Sequence, residues 1–347
     1  MNKKILCAFL TALLAVTSVS CSKSKESTHS GTVSEESNKN KQSSGSNVSA
    51  YGTTADITKY ITASEITPPL WKVTDPETNN ELYIMGTIHV LPETFTEFPD
   101  YIMDIYENSD GVAVEYDTTQ ITSDIRALAQ YQKMFLYDDS SLITDHISDE
   151  TYQKVKTYFE GIGIYSEPLD QFSAGYWYNQ LESVMITRLE NLSTTGVDSS
   201  FVEYANKDGK EVINIETLDI QAGAVDGYSD ELVDFLMSAM IDEIDNINEY
   251  AENLGELYDL WASGNIDPII EEDAKEIEEL PDDLKDDYED YMNIMLYDRN
   301  KGMAEKASEF LKEGKNYLFM VGSAHYAGDR GVDDLLEEMG YTVEKVS

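Results

Sequence analysis

The chain has 347 residues, with 67 Asp and Glu against 24 Lys and Arg, a formal charge of −43. A surface of that sign repels nucleic acid and anionic lipid headgroups, so no nucleic-acid partner is expected. Both cysteines, Cys7 and Cys21, lie near the N-terminus, which leaves the rest of the chain no thiol for a disulfide, a thiolate zinc site or a cysteine nucleophile.

Lys3 and Lys4 precede a twelve-residue apolar run, Ile5 to Val16, followed by Ser18, Val19, Ser20 and Cys21. Charge, short apolar run and small residues in that order make a secretory leader, and the run is too short to span a bilayer. Val19-Ser20-Cys21 is similar to the end of a lipobox, although Ser18 stands where Leu is usual. The expectation is a leader over residues 1–20 and a lipid on Cys21, holding the protein on the extracytoplasmic face of the cell membrane. Several acyl chains on one cysteine bury methylenes worth about 0.8 kcal/mol each, enough for anchoring. Loss of Lys3 and Lys4 takes the formal charge from −43 to −45. Residues 21–50, polar and of low complexity, read as a disordered tether that includes His29. Residues 51–347 contain no second such linker and are read as one domain.

Within it, Leu70 to Thr74, the turn-prone Asp75 to Asn80 and Leu82 to Met85 predict a hairpin. Val112 to Val114, Val212 to Ile215 and Tyr317 to Val321 are further short, apolar, β-prone runs. His146, ahead of the helix-start pattern Ser148-Asp149-Glu150, reads as an exposed residue. Apolar residues spaced by three and four predict one long helix from Ser229 to Ser263. The acidic stretch from Glu271 to Asp290 has no calcium-loop pattern and reads as a solvated face. Short strands alternating with longer helical patterns give an α/β (α+β) class, a mixed β-sheet core with surrounding helices.

Two of the strands run into the same motif, Gly86-Thr87-Ile88-His89 and Gly322-Ser323-Ala324-His325. Gly86 and Gly322 are expected to permit a sharp turn or a close backbone approach, and the imidazoles to follow on the loops beyond. The other two end in carboxylates, Glu115-Tyr116-Asp117 and Glu216-Thr217-Leu218-Asp219. If these strand ends cluster, two imidazoles and one or two carboxylates converge where α/β folds place ligands. That set suits Mn²⁺, Co²⁺ or Zn²⁺ beside His89 and His325, with the carboxylates of Glu115, Asp117 and Glu216 as candidates for a further ligand or for a proton acceptor. Arg299, ahead of the last helix and strand, is a candidate to anchor a substrate carboxylate or steady an oxyanion.

Leu82–Val90 with its Gly-Thr-Ile-His, Val114-Glu115, Gly196-Val197-Asp198, Ile215-Glu216-Thr217, Leu257–Asn265 with Trp261, Arg299-Asn300 and Val321–Leu336 resemble, in order and spacing, the TraB/GumN family over roughly residues 65 to 347. That family looks related to the Tiki metalloproteases and to the pheromone-shutdown protein TraB, and its fold resembles the erythromycin esterase and ChaN-like group. The resemblance implies a divalent metal held by the paired Gly-x-x-His motifs and a Glu, here His89, His325 and Glu115.

Two functions follow as expectations. One is a surface metal-dependent hydrolase acting on peptides. The other is a non-catalytic lipoprotein that uses the same pocket to sequester a peptide, haem or metal.

Overall fold

The computed structural model describes residues 48–49 and 51–347. The expected leader, Cys21 and almost all of the expected tether, His29 included, lie outside them.

Six segments pair into one mixed sheet: β1 (Leu70–Thr74), β2 (Glu81–Thr87), β3 (Gly111–Val114), β4 (Glu211–Asn214), β5 (Tyr317–Gly322) and β6 (Thr342–Lys345), in the order β4-β3-β5-β2-β1-β6. The first four in that order are parallel, and Asn214, Val114, Met320 and Met85 stand side by side across them. β1 joins β2 as the expected antiparallel hairpin, with Thr74 opposite Glu81. β6, whose two apolar-to-polar alternations are too brief to register as a strand, pairs antiparallel with β1 at the edge.

Nine helices matter for the site: α1 (Asp100–Asn108), α2 (Asp149–Ile162), α3 (Ala174–Thr187), α4 (Val197–Asp208), α5 (Leu218–Val225), α6 (Asp230–Asp242), α7 (Ile247–Ser263), α8 (Asp298–Glu313) and α9 (Val332–Glu338). Successive strand residues point to opposite faces, and both faces are covered. Leu70, Met85, Val112, Val114, Leu318 and Met320 pack with α1, α4 and α7 on one side. Val73, Leu82, Ile84, Ala113, Phe319 and Val321 pack with α8 and α9 on the other. A helical lobe with its own core, built from α2, α3, α6 and part of α7, reaches the carboxyl ends of the strands, where Val90 enters that core and Ala324 packs against it.

The single helix expected from Ser229 to Ser263 is two. α6 ends at Asp242, and α7 restarts at Ile247 after a link of Glu243, Ile244, Asp245 and Asn246. The apolar stripe continues across the break, which is why spacing alone does not reveal it. The guanidinium of Arg188, only 1% exposed, takes the Ile244 carbonyl through Nη1 at 2.5 Å and the Thr53 carbonyl through Nε at 2.9 Å. That carbonyl therefore has a side-chain partner in place of a helical N–H.

Candidate active site

The parallel register delivers the predicted residues to one edge. Gly86 lies opposite Val321 and Gly322 opposite Thr87, so the two Gly-x-x-His segments leave neighbouring strands side by side. Glu115 directly follows β3, and Glu216 lies two residues past β4. A Cβ placed on Gly322 would stand 3.2 Å from Glu115 Oε1, 3.7 Å from His325 Cδ2 and 3.9 Å from His89 Nε2. Both rings and one carboxylate oxygen therefore lie within 4 Å of a single point above Gly322. Of the two expected uses of these glycines, a sharp turn or a close approach, the structure shows the close approach. Gly322 has φ −51°, and Gly86 is not among the positive-φ positions. A Cβ on Gly86 would strike Pro69 and Ser323 at 2.7 and 2.8 Å.

Each imidazole is held by its outer nitrogen. Asn300 Nδ2 donates to the Arg330 carbonyl, which turns Asn300 Oδ1 toward His325, and His325 Nδ1–H donates to it at 2.6 Å. His89 Nδ1 lies 3.3 Å from Asp198 Oδ1, in the first turn of α4. Gly196 lets that helix start press against the loop, since a Cβ there would come within 2.4–2.5 Å of Ile88 and His89 backbone atoms, and Val197 N–H donates to the Ile88 carbonyl. With its Nδ1 bonded to Asn300, neutral His325 keeps the lone pair on Nε2, and His89 does the same when it is neutral with its proton on the Nδ1 that faces Asp198.

Beneath the rings lies a buried ionic network. Arg299 donates from Nη2 to Glu115 Oε2 at 2.5 Å and to Glu216 Oε2 at 2.8 Å, and from Nε to Glu216 Oε1 at 2.9 Å. Gln221 Nε2 donates to Oε2 of both glutamates. Glu115 Oε1 accepts the Gly322 N–H at 2.7 Å and stands 3.7 Å from His325 Nε2. Arg299 does not precede the last long helix as expected but sits in its first turn, after a π-helical turn at Asn293–Tyr297. Arg299 Nη1 donates to the Met295 carbonyl in that turn.

A model of the TraB/PrgY/gumN family matches residues 69–345. The chain belongs to this family. It is 21% identical over 343 residues to Metalloprotease TIKI2 of Danio rerio, covering 86% of this chain and 65% of that protein. It is also 21% identical to Metalloprotease TIKI2 of Xenopus tropicalis (76% and 57% covered) and 22% identical to the Metalloprotease TIKI homolog of Amphimedon queenslandica (80% and 61% covered). The match thus spans less than two thirds of the length of each of these relatives. No solved structure matches the chain.

The charge states of this family member's site follow from its packing. Burial opposes ionisation of Glu115, but Arg299 and the two histidines outweigh it and hold the carboxyl well below the usual range. Burial, with Glu115 alongside, instead raises Glu216 despite its bonds to Arg299. Burial and then Arg299 push His325 down to about 3, so its ring is neutral. Burial also opposes protonation of His89, but Asp198 and Glu115 outweigh it and leave the ring raised.

Among the described residues no three His, Cys, Asp or Glu side chains stand as a ready-made metal cage. The donor chemistry nonetheless fits a divalent ion in part. Both imidazole rings and Glu115 Oε1 face one space, with His325 Nε2 3.7 Å from Glu115 Oε1, and Asp198 Oδ1 is buried without a well-formed hydrogen bond. The surrounding cavity, about 730 Å³ with its open mouth, is walled by Ile88, Leu257, Trp261, Ile269, Met295 and Leu296.

Other sequence candidates lie elsewhere. Asp117 caps the turn after β3, accepting from Thr119 N and Oγ1, and Asp219 is exposed on α5. His146 is not freely exposed. It stacks on Tyr137 with ring centres 3.9 Å apart and lies between Ser141 Oγ (2.7 Å) and Asp230 (2.9 Å). That Ser-His-Asp arrangement lacks a pair of free amides for an oxyanion, because Ser141 N–H bonds Asp139 and Leu142 N–H bonds Asp145. Asp198, Asn300 and Trp261 stand within the family-like motifs, but their roles, like that of Gln221, are not visible in the sequence. Trp261 Nε1 donates to the Gly86 carbonyl at 3.0 Å. The signal available was only their place beside the Gly-x-x-His segments and Arg299.

Proposed function

We propose that this chain is a metal-dependent hydrolase of peptides, lipid-anchored through Cys21 and facing out of the cell. The observation that carries this reading is the convergence of the His89 and His325 rings and Glu115 Oε1 over Gly322, with His325 Nε2 3.7 Å from Glu115 Oε1 and both Nδ1 atoms turned to Asp198 and Asn300. The family and the metalloprotease names of its relatives support it. A divalent ion such as Zn²⁺, Mn²⁺ or Co²⁺, held there by the two imidazoles and Glu115, supplies Lewis acidity toward a carbonyl and water.

The chain's own residues do the rest. Asp198 and Asn300 fix the ring orientations and the tautomer. Arg299 keeps Glu115 ionised at neutral pH, so its Oε1 is available to bind a cation. The apolar walls exclude water and receive an apolar part of a substrate.

One observation favours the sequestering alternative. Both Glu216 oxygens are occupied by Arg299 and Gln221, so if Glu115 is a ligand, Glu216 is not free to accept a proton. The test is metal analysis of the purified full-length protein and an unbiased peptide-cleavage screen, with and without chelator. Expected are bound divalent metal, cleavage that a chelator stops, and joint loss of metal and cleavage in His89→Ala and His325→Ala. Metal bound without cleavage under any divalent ion selects sequestration. Cleavage undiminished in both variants and insensitive to chelators places the chemistry elsewhere. Cys21→Ser should give soluble or unprocessed protein, and unchanged processing and membrane retention would contradict the anchor.

A further inference from the structure

A second cavity, about 310 Å³ with its mouth, adjoins the candidate site. Ile88 and Leu257 line both. Beyond that shared wall the lining is apolar, including Ile61, Leu192 and Leu254, with Tyr258 the one side chain that carries a polar atom. Among the described residues no charged one lines it, on a chain of formal charge −43. Ile61, Ile88, Leu192 and Leu257 are each partly exposed, so the mouth is open to a ligand. The wall is firmly held, because the Ile88 carbonyl accepts the Val197 N–H at 2.9 Å and Gly196 packs against the same loop.

We propose that this cavity is a specificity subsite that takes a bulky apolar side chain, Leu or Phe in type, of the peptide whose backbone crosses the candidate site. The inference deepens the peptide-hydrolase reading and rests on it. Ile88 immediately precedes His89, so a side chain seated against Ile88 belongs to a residue within one or two positions of the bond held at the imidazoles, given about 3.3 Å of extended peptide per residue. An apolar cavity at the side of a site selects side chains by burial and offers a charged one no partner. Ile88, one of the two unspecified positions in the first Gly-x-x-His, is thereby a specificity residue.

The test uses full-length protein in detergent, with chelator to prevent turnover, and blocked pentapeptides Ala-Ala-X-Ala-Ala in which X is Gly, Leu or Phe. The Leu and Phe peptides should bind about tenfold more tightly than the Gly peptide, the scale set by burying one such side chain. Leu192→Trp and Ile61→Trp fill the cavity from different elements and lie outside the residues proposed to hold metal. Each should bring the ratio near one while leaving the Gly peptide's Kd unchanged. Equal affinities for all three peptides, no binding of any, or a preference that survives both substitutions overturns the subsite. Repeating the series with metal separates the two readings. Preference without cleavage keeps the subsite and sinks the hydrolase, whereas cleavage without preference does the reverse.

Discussion

Asp198 touches the site only through the back of His89, at 3.3 Å from Nδ1. Partners of that kind orient a ligating ring and raise its basicity, and their removal typically costs 10–100-fold in metal affinity. Asp198→Asn is therefore expected to weaken metal binding by about that factor without unfolding the protein, as measured by competition with a chromogenic chelator. Unchanged affinity would mean that His89 does not bind the metal. Glu216→Gln separates a different pair of roles. If Glu216 serves only to hold Arg299, the amide should keep metal and reduce turnover modestly; if it is the proton acceptor, turnover should fall by about 10²–10⁴-fold with metal retained. His89, His325 and Glu115 could be read from the sequence because a motif of strand, Gly and His occurs twice in a chain with four histidines. Asp198, Asn300 and Gln221 could not be assigned roles that way, since each gains its role only when a distant helix docks.

The same limit appears one scale up. β2, β3 and β5 are legible because strands buried inside a sheet are near-continuous apolar runs, and the half-buried edge strand β4 is legible only from its Val212-Ile213 pair. The break between α6 and α7 is not, because it depends on a side chain more than fifty residues earlier in the chain. Arg188→Met tests this account. It removes the donor to two carbonyls, Thr53 and Ile244, and a buried acceptor left unpaired costs roughly 1–3 kcal/mol. The expected loss is about 2–4 kcal/mol of unfolding free energy by denaturant titration, with the metal site intact. Gly196→Ala acts on an element boundary nearer the chemistry. A Cβ there meets the backbone of Ile88 and His89, so α4 or the histidine loop must move. Metal affinity should fall by more than stability does, which is measurable as reduced metal content in protein whose Tm shifts only slightly.

At the scale of the whole molecule, the excess of carboxylates bears on stability as well as solubility. Asp273, beside Tyr288, is pushed up to about 6 by burial. Asp333 is pushed up to about 7, first by burial and then by Asp334 and Asp267. A carboxyl raised above its unfolded value of 3.8 makes the folded state bind more protons than the unfolded state in the window between. Its stabilising contribution is present in full below about pH 4 and is lost as pH rises through 6 for Asp273 and 7 for Asp333. His325, pushed down to about 3, has the opposite sign. It contributes stability above its unfolded 6.5, and that contribution falls away as pH drops toward 3. Between about pH 5 and 7.5 the two acids outnumber the histidine, and repulsion among the remaining charges of a chain at −43 acts in the same direction as the acids. The protein should therefore melt a few degrees higher at pH 5.5 than at pH 7.5. Salt distinguishes the causes, because 0.5 M NaCl, a Debye length of roughly 4 Å, screens surface repulsion but not the burial of a carboxyl. The part of the pH slope that survives salt should shrink in Asp333→Asn and again in Asp273→Asn. A wild-type Tm that rises with pH across this window, or a salt-resistant slope unchanged in both variants, would show that these carboxyls are ionised in the folded protein.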